Sequence, residues 1–283
     1  MRIIPSTTPI SPSDRAFNYG DGVFTTLLVN EHIVQLLPYH ISRLVHDAAS
    51  IKLSIDAHTL EAAIAEHVNA IKLASSENAS SKYVLKIHVS GGQAGRGYAR
   101  SENSEALIRF SQHPYPSHYD SLANQGVSVI CAQTRLAIQP LLAGVKHMNR
   151  LEQVLVKHEV DEAGVDDAIV CDTQDNIIEA SAGNVFFHLN EQWYTPSLKG
   201  SGVNGVVRQC LIDSLLNDNN SLHVGDYDLS YLGRSSAVVI TNALVGVMPV
   251  QQIRMPDFSY VDFDVQSDVI VALKKRLENV LKH

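Results

Sequence analysis

The chain has 283 residues, 45% of them hydrophobic and 18% charged, the balance of a globular protein with length for a sizeable core in one large or two modest domains. Its formal net charge of -8 argues against a nucleic-acid partner, which would select a basic face, and obliges any anionic substrate to find its cations locally. No apolar run approaches the roughly 18 residues of a membrane span, the opening MRIIPSTTPISPSD lacks the apolar core of a signal peptide, and Cys131, Cys171 and Cys210 fit neither a zinc motif nor a disulfide framework, so a reducing cytoplasm is the expected compartment.

Residues 22–37, GVFTTLLVNEHIVQLL, read as two strands about a turn at Asn30-Glu31, and Pro38 suits the first turn of a helix. In YHISRLVHDAASIKL, Ile41, Leu44, Val45 and Ala48 form one stripe at helical spacing. Arg43 lies opposite that stripe, either as a solvated arginine or as a planar clamp for phosphate or carboxylate. Residues 57–73 predict a second amphipathic helix with Leu60, Ile64, Val68 and Ile71 inward. Strands are expected at 81–89 and 105–111, and the glycine-rich SGGQAGRGYARSENS between them is a plain surface loop or a flexible anion-binding one. The segment 113–126, HPYPSHYDSLANQG, has two prolines and many turn formers and is the expected domain linker.

After the strand VSVICAQT comes LLAGVKHMNR, residues 141–150. Lys146 ends an apolar run at the mouth of a predicted helix, HMNRLEQVLVKHEVDEAG, with Met148, Leu151, Val154 and Leu155 inward and Gly164 as its stop. A cation at a helix start is mildly opposed by the helix dipole. Lys146 therefore either snorkels to water or is held inside for chemistry. Burial and nearby cations bring a lysine below its usual pKa of about 10.4, and the neutral amine that results is what a Schiff-base lysine requires.

The segment DAIVCDTQDNIIEASAGNVFFHLNEQWYTP reads as several short strands with polar turns. Glu179 within it is either a solvent-facing member of the alternation or a buried carboxylate paired with a cation. GVNG leads directly into the helix VVRQCLIDSLL. It is an ordinary turn or a helix start whose free N–H groups take an anion. SAVVITNALVGVMPVQQI is β-rich, and VDFDVQSDVIVALKKRLENVLKH ends in a helix. Abutting strand pairs without helices between them favour α+β, mixed α/β, over a regular βαβ array. There is no GxxxxGK[ST], GxSxG or HExxH, and the 13 histidines show no paired metal spacing, so no metal is expected.

Taken in order, SDRAFNYGDGVFTT, HISRL, GGQAGRGY, LAGVKHMNRLEQVL, DAIVCDTQDNIIEASAGNVFF, YTPSLKGSGVNGVVRQ and ITNALVGVMPV resemble the fold-type IV pyridoxal-phosphate enzymes, the class of branched-chain and D-amino acid aminotransferases. GRGY, AGVKHMNRLEQ and GVNGVVRQ point within that class to the aminodeoxychorismate lyases of folate biosynthesis. The resemblance implies a two-domain fold with the cofactor in the interdomain cleft: 1–115 as the smaller N-terminal α/β domain, and 116–283 as the larger C-terminal α/β domain carrying the cofactor lysine. It implies a homodimer as well.

By the same resemblance, Lys146 would hold pyridoxal 5'-phosphate as the internal aldimine and then act as the catalytic base. Glu179 would face the pyridine nitrogen. Arg43 and the N–H groups of Val206 and Val207 would bind the phosphate, with Asn242 a further phosphate-side contact. The substrate would be 4-amino-4-deoxychorismate, with Arg96 on a carboxylate and Tyr98 walling the site. Two other functions fit the same residues. One is an aminotransferase for D- or branched-chain amino acids using the same cofactor set. The other is a non-catalytic α/β binding protein that kept the fold and lost the chemistry.

Overall fold

The computed structural model describes residues 1–74, 80–93, 95–102, 104–216 and 222–281. The chain forms two compact units, residues 1–115 with 145–149, and residues 116–144 with 150–283. Among the described residues no helix is long and apolar enough to cross a membrane.

The first unit contains β1 (Arg2–Ile4), α1 (Arg15–Tyr19), β2 (Gly22–Asn30), β3 (Ile33–Val34), α2 (Leu37–Ser50), α3 (Ala57–Ala74), β4 (Tyr83–Ser90) and β5 (Leu107–Pro114). Its sheet runs β1-β5-β4-β2-β3, with β1 parallel to β5 and the other pairs antiparallel. The turn between β2 and β3 falls at Glu31 and His32, both with positive φ, and Asn30 pairs with Ile33. That is one residue later than the sequence predicts. Strand alternation puts Val23, Thr25, Leu27 and Val29 on the buried side of β2. Val23, Leu27 and Val29 share a core with the expected stripes of the two helices, Leu44 and Ala48 from α2 and Leu60, Ile64 and Val68 from α3. Thr25 is the polar member of that row.

The second unit contains α4 (His118–Gln125), β6 (Val127–Cys131), α5 (Leu151–Ala163), β7 (Asp167–Cys171), β8 (Ile177–Ala180), β9 (Asn184–Leu189), β10 (Gln192–Pro196), α6 (Val206–Leu216), β11 (Leu222–Gly225), α7 (Ser230–Arg234), β12 (Ala237–Asn242), β13 (Gly246–Arg254), β14 (Tyr260–Asp262) and α8 (Asp268–Leu281). The sheet order is β11-β10-β9-β12-β13-β6-β7-β8, with β14 on β13. The sheet mixes parallel and antiparallel strand pairs, as the abutting strand patterns predict.

Three sequence expectations meet a different structure. The 113–126 segment is mostly ordered elements: β5 extends to Pro114 and α4 starts at His118, leaving only three residues between them. The helix expected from His147 begins at Leu151. It turns Val156 and Val160 into a core with Ile130, Leu136, Ala168 and Val170, while Leu151, Val154 and Leu155 are exposed. Two apolar stripes coexist on α5, and the valines win the core because they face β6 and β7. Gly164 closes α5 in the left-handed conformation, as expected. Finally, Lys146 was expected in the larger C-terminal part, at a helix mouth. Residues 145–149 instead run extended beside β2. Lys146 O accepts the Phe24 N–H at 3.0 Å, Met148 N–H donates to Gly22 O at 2.9 Å, and Val145 joins the first unit's core. Lys146 therefore precedes α5 and does not sit in the first turn, where the dipole acts.

Candidate active site

On the first unit, α2, β2 and the 145–149 segment converge on Lys146 and Arg43. Arg43 is not the solvated arginine of an outer helix face: its side chain is 10% exposed. It donates through its NH2 group to the Thr25 hydroxyl in a short hydrogen bond. Thr25 also bonds His40 Nδ1 at 2.7 Å. Burial, then the charges of Arg43 and Lys146, hold the His40 imidazole well below its ordinary pKa, so His40 is neutral. Burial also lowers Arg43 to about 10, against the pull of Asp47. Asp47 lies one helical turn beyond Arg43. It is 1% exposed, its Oδ2 stands 4.0 Å from Arg43 Nε, and it accepts the backbone N–H of Lys146 at 3.0 Å. The Lys146 ammonium lies 4.6 Å from the centre of the Phe24 ring.

On the second unit, Glu179 is buried on β8 and is not the solvent-facing member of an alternation. Its Oε2 accepts the Val203 N–H at 2.8 Å, and Gln153 of α5 donates to Oε1 at 3.3 Å. The GVNG turn is shaped around this strand. Gly202 has φ +83°, and a Cβ there would come 2.5 Å from the Ile178 side chain. The Gly205 N–H is capped by Asn184 Oδ1 at 3.1 Å, and the first helical bond of α6 runs from Gln209 N–H to Gly205 O. The N–H groups of Val206 and Val207 in the first turn thus have no intrahelical acceptor, which makes them suited to an anion. Arg208 is buried beside them. It bonds Asn204 Oδ1 and Pro196 O, with its pKa lowered to about 10 by burial against the opposing charge of Glu179.

Arg96 and Tyr98 sit on the exposed tip of the GRGY loop. The loop is held from beneath by Arg15, which donates to the carbonyls of Gly97, Tyr98 and Ala99 at 3.2, 2.7 and 3.1 Å. Arg15 is itself paired with Asp21 at 2.7 Å. Arg100 closes on the same carboxylate. Burial raises the Asp21 carboxyl, but the two arginines outweigh it and leave it below the ordinary range. The Asn242 side chain is committed to its own turn: it bonds Ala182 O and accepts the N–H groups of Leu244 and Val245. A phosphate contact from that carboxamide would compete with these bonds.

Sequence reasoning did not single out Asp47, Thr25, His40, Arg15, Asn184 or Arg208. The i,i+4 spacing of Arg43 and Asp47 was a usable signal; the others depend on contacts distant in sequence. Each unit by itself offers groups suited to a phosphate. The buried Arg43 Nε has no hydrogen-bond partner among the described residues, and the α6 start offers free N–H groups. Among the described residues no cluster of His, Cys, Asp or Glu could hold a metal ion.

A Vibrio harveyi protein named aminodeoxychorismate lyase is 34% identical over 258 residues, covering 91% of this chain and 92% of its own. The crystal structure of 4-amino-4-deoxychorismate lyase from Pseudomonas aeruginosa is similar with a TM-score of 0.87 at 28% identity, covering 98% of this chain and 97% of that one. A hypothetical aminotransferase from Mycobacterium tuberculosis, in a PLP-bound form, shares the fold with a TM-score of 0.81 at 18% identity, covering 97% and 94%. Residues 22–253, which include Arg43, Lys146, Glu179, the GVNG turn and Asn242, match the family of class IV amino-transferases, and the chain belongs to it.

Proposed function

We propose that this protein is a pyridoxal-phosphate-dependent lyase converting 4-amino-4-deoxychorismate to p-aminobenzoate and pyruvate. The observation that carries the reading is the tie, through Asp47, between the lysine backbone and a buried arginine suited to a phosphate. Similarity to the Vibrio and Pseudomonas lyases supports the choice of lyase over aminotransferase.

Pyridoxal phosphate, when bound, supplies an electron sink for a C–H bond broken beside an amine. Lys146 would hold the cofactor at its aldehyde carbon, and its amine would be free once the substrate is bound. Its free amine then takes the proton from the ring carbon bearing nitrogen. The electrons of that C–H bond end in the ring as the C–O bond to the enolpyruvyl group breaks. That group leaves as the enolate of pyruvate, the proton taken by Lys146 completes its methyl group, the ring becomes aromatic, and no oxidant or water is consumed. Glu179, fixed by the Val203 N–H and Gln153, would keep the pyridine nitrogen protonated. Arg43 and the N–H groups of Val206 and Val207 would hold the phosphate, and Asn242 would add a contact on that side only by giving up one of its present bonds.

Arg96 meets a substrate carboxylate, the local cation that an acidic protein must supply, and Tyr98 walls the site. Arg96→Ala should raise KM at least about tenfold, the worth of one charge-assisted hydrogen bond, and leave cofactor binding unchanged. Unchanged KM and turnover would remove Arg96 from the site. The reading includes a homodimer, for which the exposed stripe Leu151, Val154 and Leu155 on α5 is a suitable surface. It also includes a cytoplasmic setting, which suits three free cysteines.

The decisive assay supplies chorismate, ammonia and an aminodeoxychorismate synthase and follows p-aminobenzoate and pyruvate. Amino transfer to 2-oxoglutarate with no p-aminobenzoate would replace the lyase by an aminotransferase. A protein that stays colourless with added pyridoxal phosphate would end the cofactor reading.

A further inference from the structure

Five residues from three segments of the first unit form a closed circuit. Arg43 donates to Thr25 on β2. The next residue of β2, Phe24, gives its N–H to the carbonyl of Lys146 at 3.0 Å. The N–H of Lys146 goes to Asp47 Oδ2 at 3.0 Å, and the same oxygen faces Arg43 Nε at 4.0 Å. The Lys146 backbone is thus held at both its N–H and its C=O, and one of the two holders is also the counter-charge of Arg43. Asp47 is 1% exposed, and its Oδ1 has no hydrogen-bond partner among the described residues. A carboxylate taken so far out of water, with one oxygen unsatisfied, is costly for a fold to keep. An alanine at this position of α2 would pack against the core without that cost. Burial accordingly pushes the Asp47 carboxyl up, against the Lys146 N–H and the Arg43 charge that pull it down.

We propose that Asp47 is a positioning residue that sets the separation between Arg43 and Lys146, so that one rigid ligand can engage both at once. The inference rests on the reading in which Arg43 takes the phosphate and Lys146 the aldehyde of pyridoxal phosphate. In that ligand the phosphate and the aldehyde are joined through one ring, and the distance between them varies little. A protein that presents their two partners already spaced spends less binding energy on ordering them. Inorganic phosphate meets the phosphate contacts but not Lys146, and gains nothing from the spacing. It is in fact opposed by the negative charge of Asp47.

Full-length Asp47→Asn and Asp47→Ala proteins, stripped of cofactor, are titrated with pyridoxal phosphate, reading the visible absorption of the lysine-bound form. Inorganic phosphate is then titrated as a competitor. The expected result is at least a tenfold weaker Kd for pyridoxal phosphate in Asp47→Ala. Asp47→Asn should show a smaller loss, because it keeps an acceptor for the Lys146 N–H. The inhibition constant of inorganic phosphate should be unchanged or lower in both. A common factor on both ligands would make Asp47 merely structural and overturn the proposal, as would a pyridoxal phosphate Kd within twofold of wild type in both variants. If the alanine protein does not fold, the near-isosteric Asp47→Asn decides alone. Arg43→Gln and Lys146→Ala leave Asp47 in place and test the underlying reading separately. Undiminished phosphate competition in the first, or a persisting visible band in the second, would remove that reading itself.

Discussion

Gly205→Ala should break the GVNG turn through a single contact. A Cβ at this position would lie 2.2 Å from Asn184 Oδ1, far inside van der Waals distance. The carboxamide can move away only by rotating, and it is buried and bonded at both ends. Its Oδ1 accepts the Gly205 N–H at 3.1 Å, and its Nδ2 donates to Val203 O at 2.8 Å. Rotation would orphan one donor and one acceptor. Each orphaned buried group costs about 1–3 kcal/mol, the half-buried Gly205 N–H less than the Val203 carbonyl. The sum is about 2–4 kcal/mol. The reduced freedom of an alanine in the unfolded chain returns about 0.4–1 kcal/mol. The net loss should be about 1–3 kcal/mol in urea unfolding, accompanied by weaker pyridoxal phosphate binding. A double-mutant cycle isolates the cause. In an Asn184→Ala background the methyl has room, so Gly205→Ala should cost less than about 0.5 kcal/mol there, the scale of an unstrained substitution. Equal costs in the two backgrounds, or a negligible cost in the first, would refute the steric account of this turn.

His40 predicts an acid-sensitive term in stability. Its folded pKa lies well below the ordinary 6.5, so below that pH the unfolded chain binds a proton that the buried ring refuses. Stability should therefore fall as pH drops through 6.5 toward the folded pKa, by up to about 1.4 kcal/mol per pH unit, with no contribution above it. His40→Gln should flatten the urea-midpoint curve between about pH 7 and about pH 5 by one proton's worth, and an unchanged slope would mean that other groups carry the acid dependence. On α5, Val156→Ala should cost about 1–2.5 kcal/mol, the loss of two buried methyls and the space they leave. Val154→Glu should leave the helix content intact and shift the sedimentation coefficient from dimer toward monomer. A dimer insensitive to Val154→Glu would place the interface elsewhere.

The elements legible in the sequence are those whose apolar pattern answers to a single partner. Ile41, Leu44, Val45 and Ala48 on α2, and Leu60, Ile64 and Val68 on α3, face one core, and a period of 3.6 finds them. α5 carries two stripes, and period alone cannot say whether the valines or the leucines face inward; that is settled by β6 and β7 lying against Val156 and Val160. Arg43 looked solvated because it lies off the α2 stripe. It is buried by polar neighbours, Thr25 and Asp47, which a search for apolar contacts passes over. Lys146 was legible as an unusual residue, and the family resemblance gave it a role. Its extended conformation was not legible, because the pairing of residues 145–149 with β2 joins positions more than a hundred residues apart.

That pairing also constrains the order of events during synthesis. The first 115 residues contain every helix and strand of the first unit, yet they leave it incomplete. Until residues 145–149 emerge from the ribosome, the Phe24 N–H and Gly22 carbonyl lack their partners, the Asp47 carboxylate is buried without the N–H it accepts, and the core lacks Val145. The nascent amino-terminal unit should therefore remain loose and protease-sensitive until some thirty further residues have emerged. A fragment ending at residue 115 would inherit the same defect permanently.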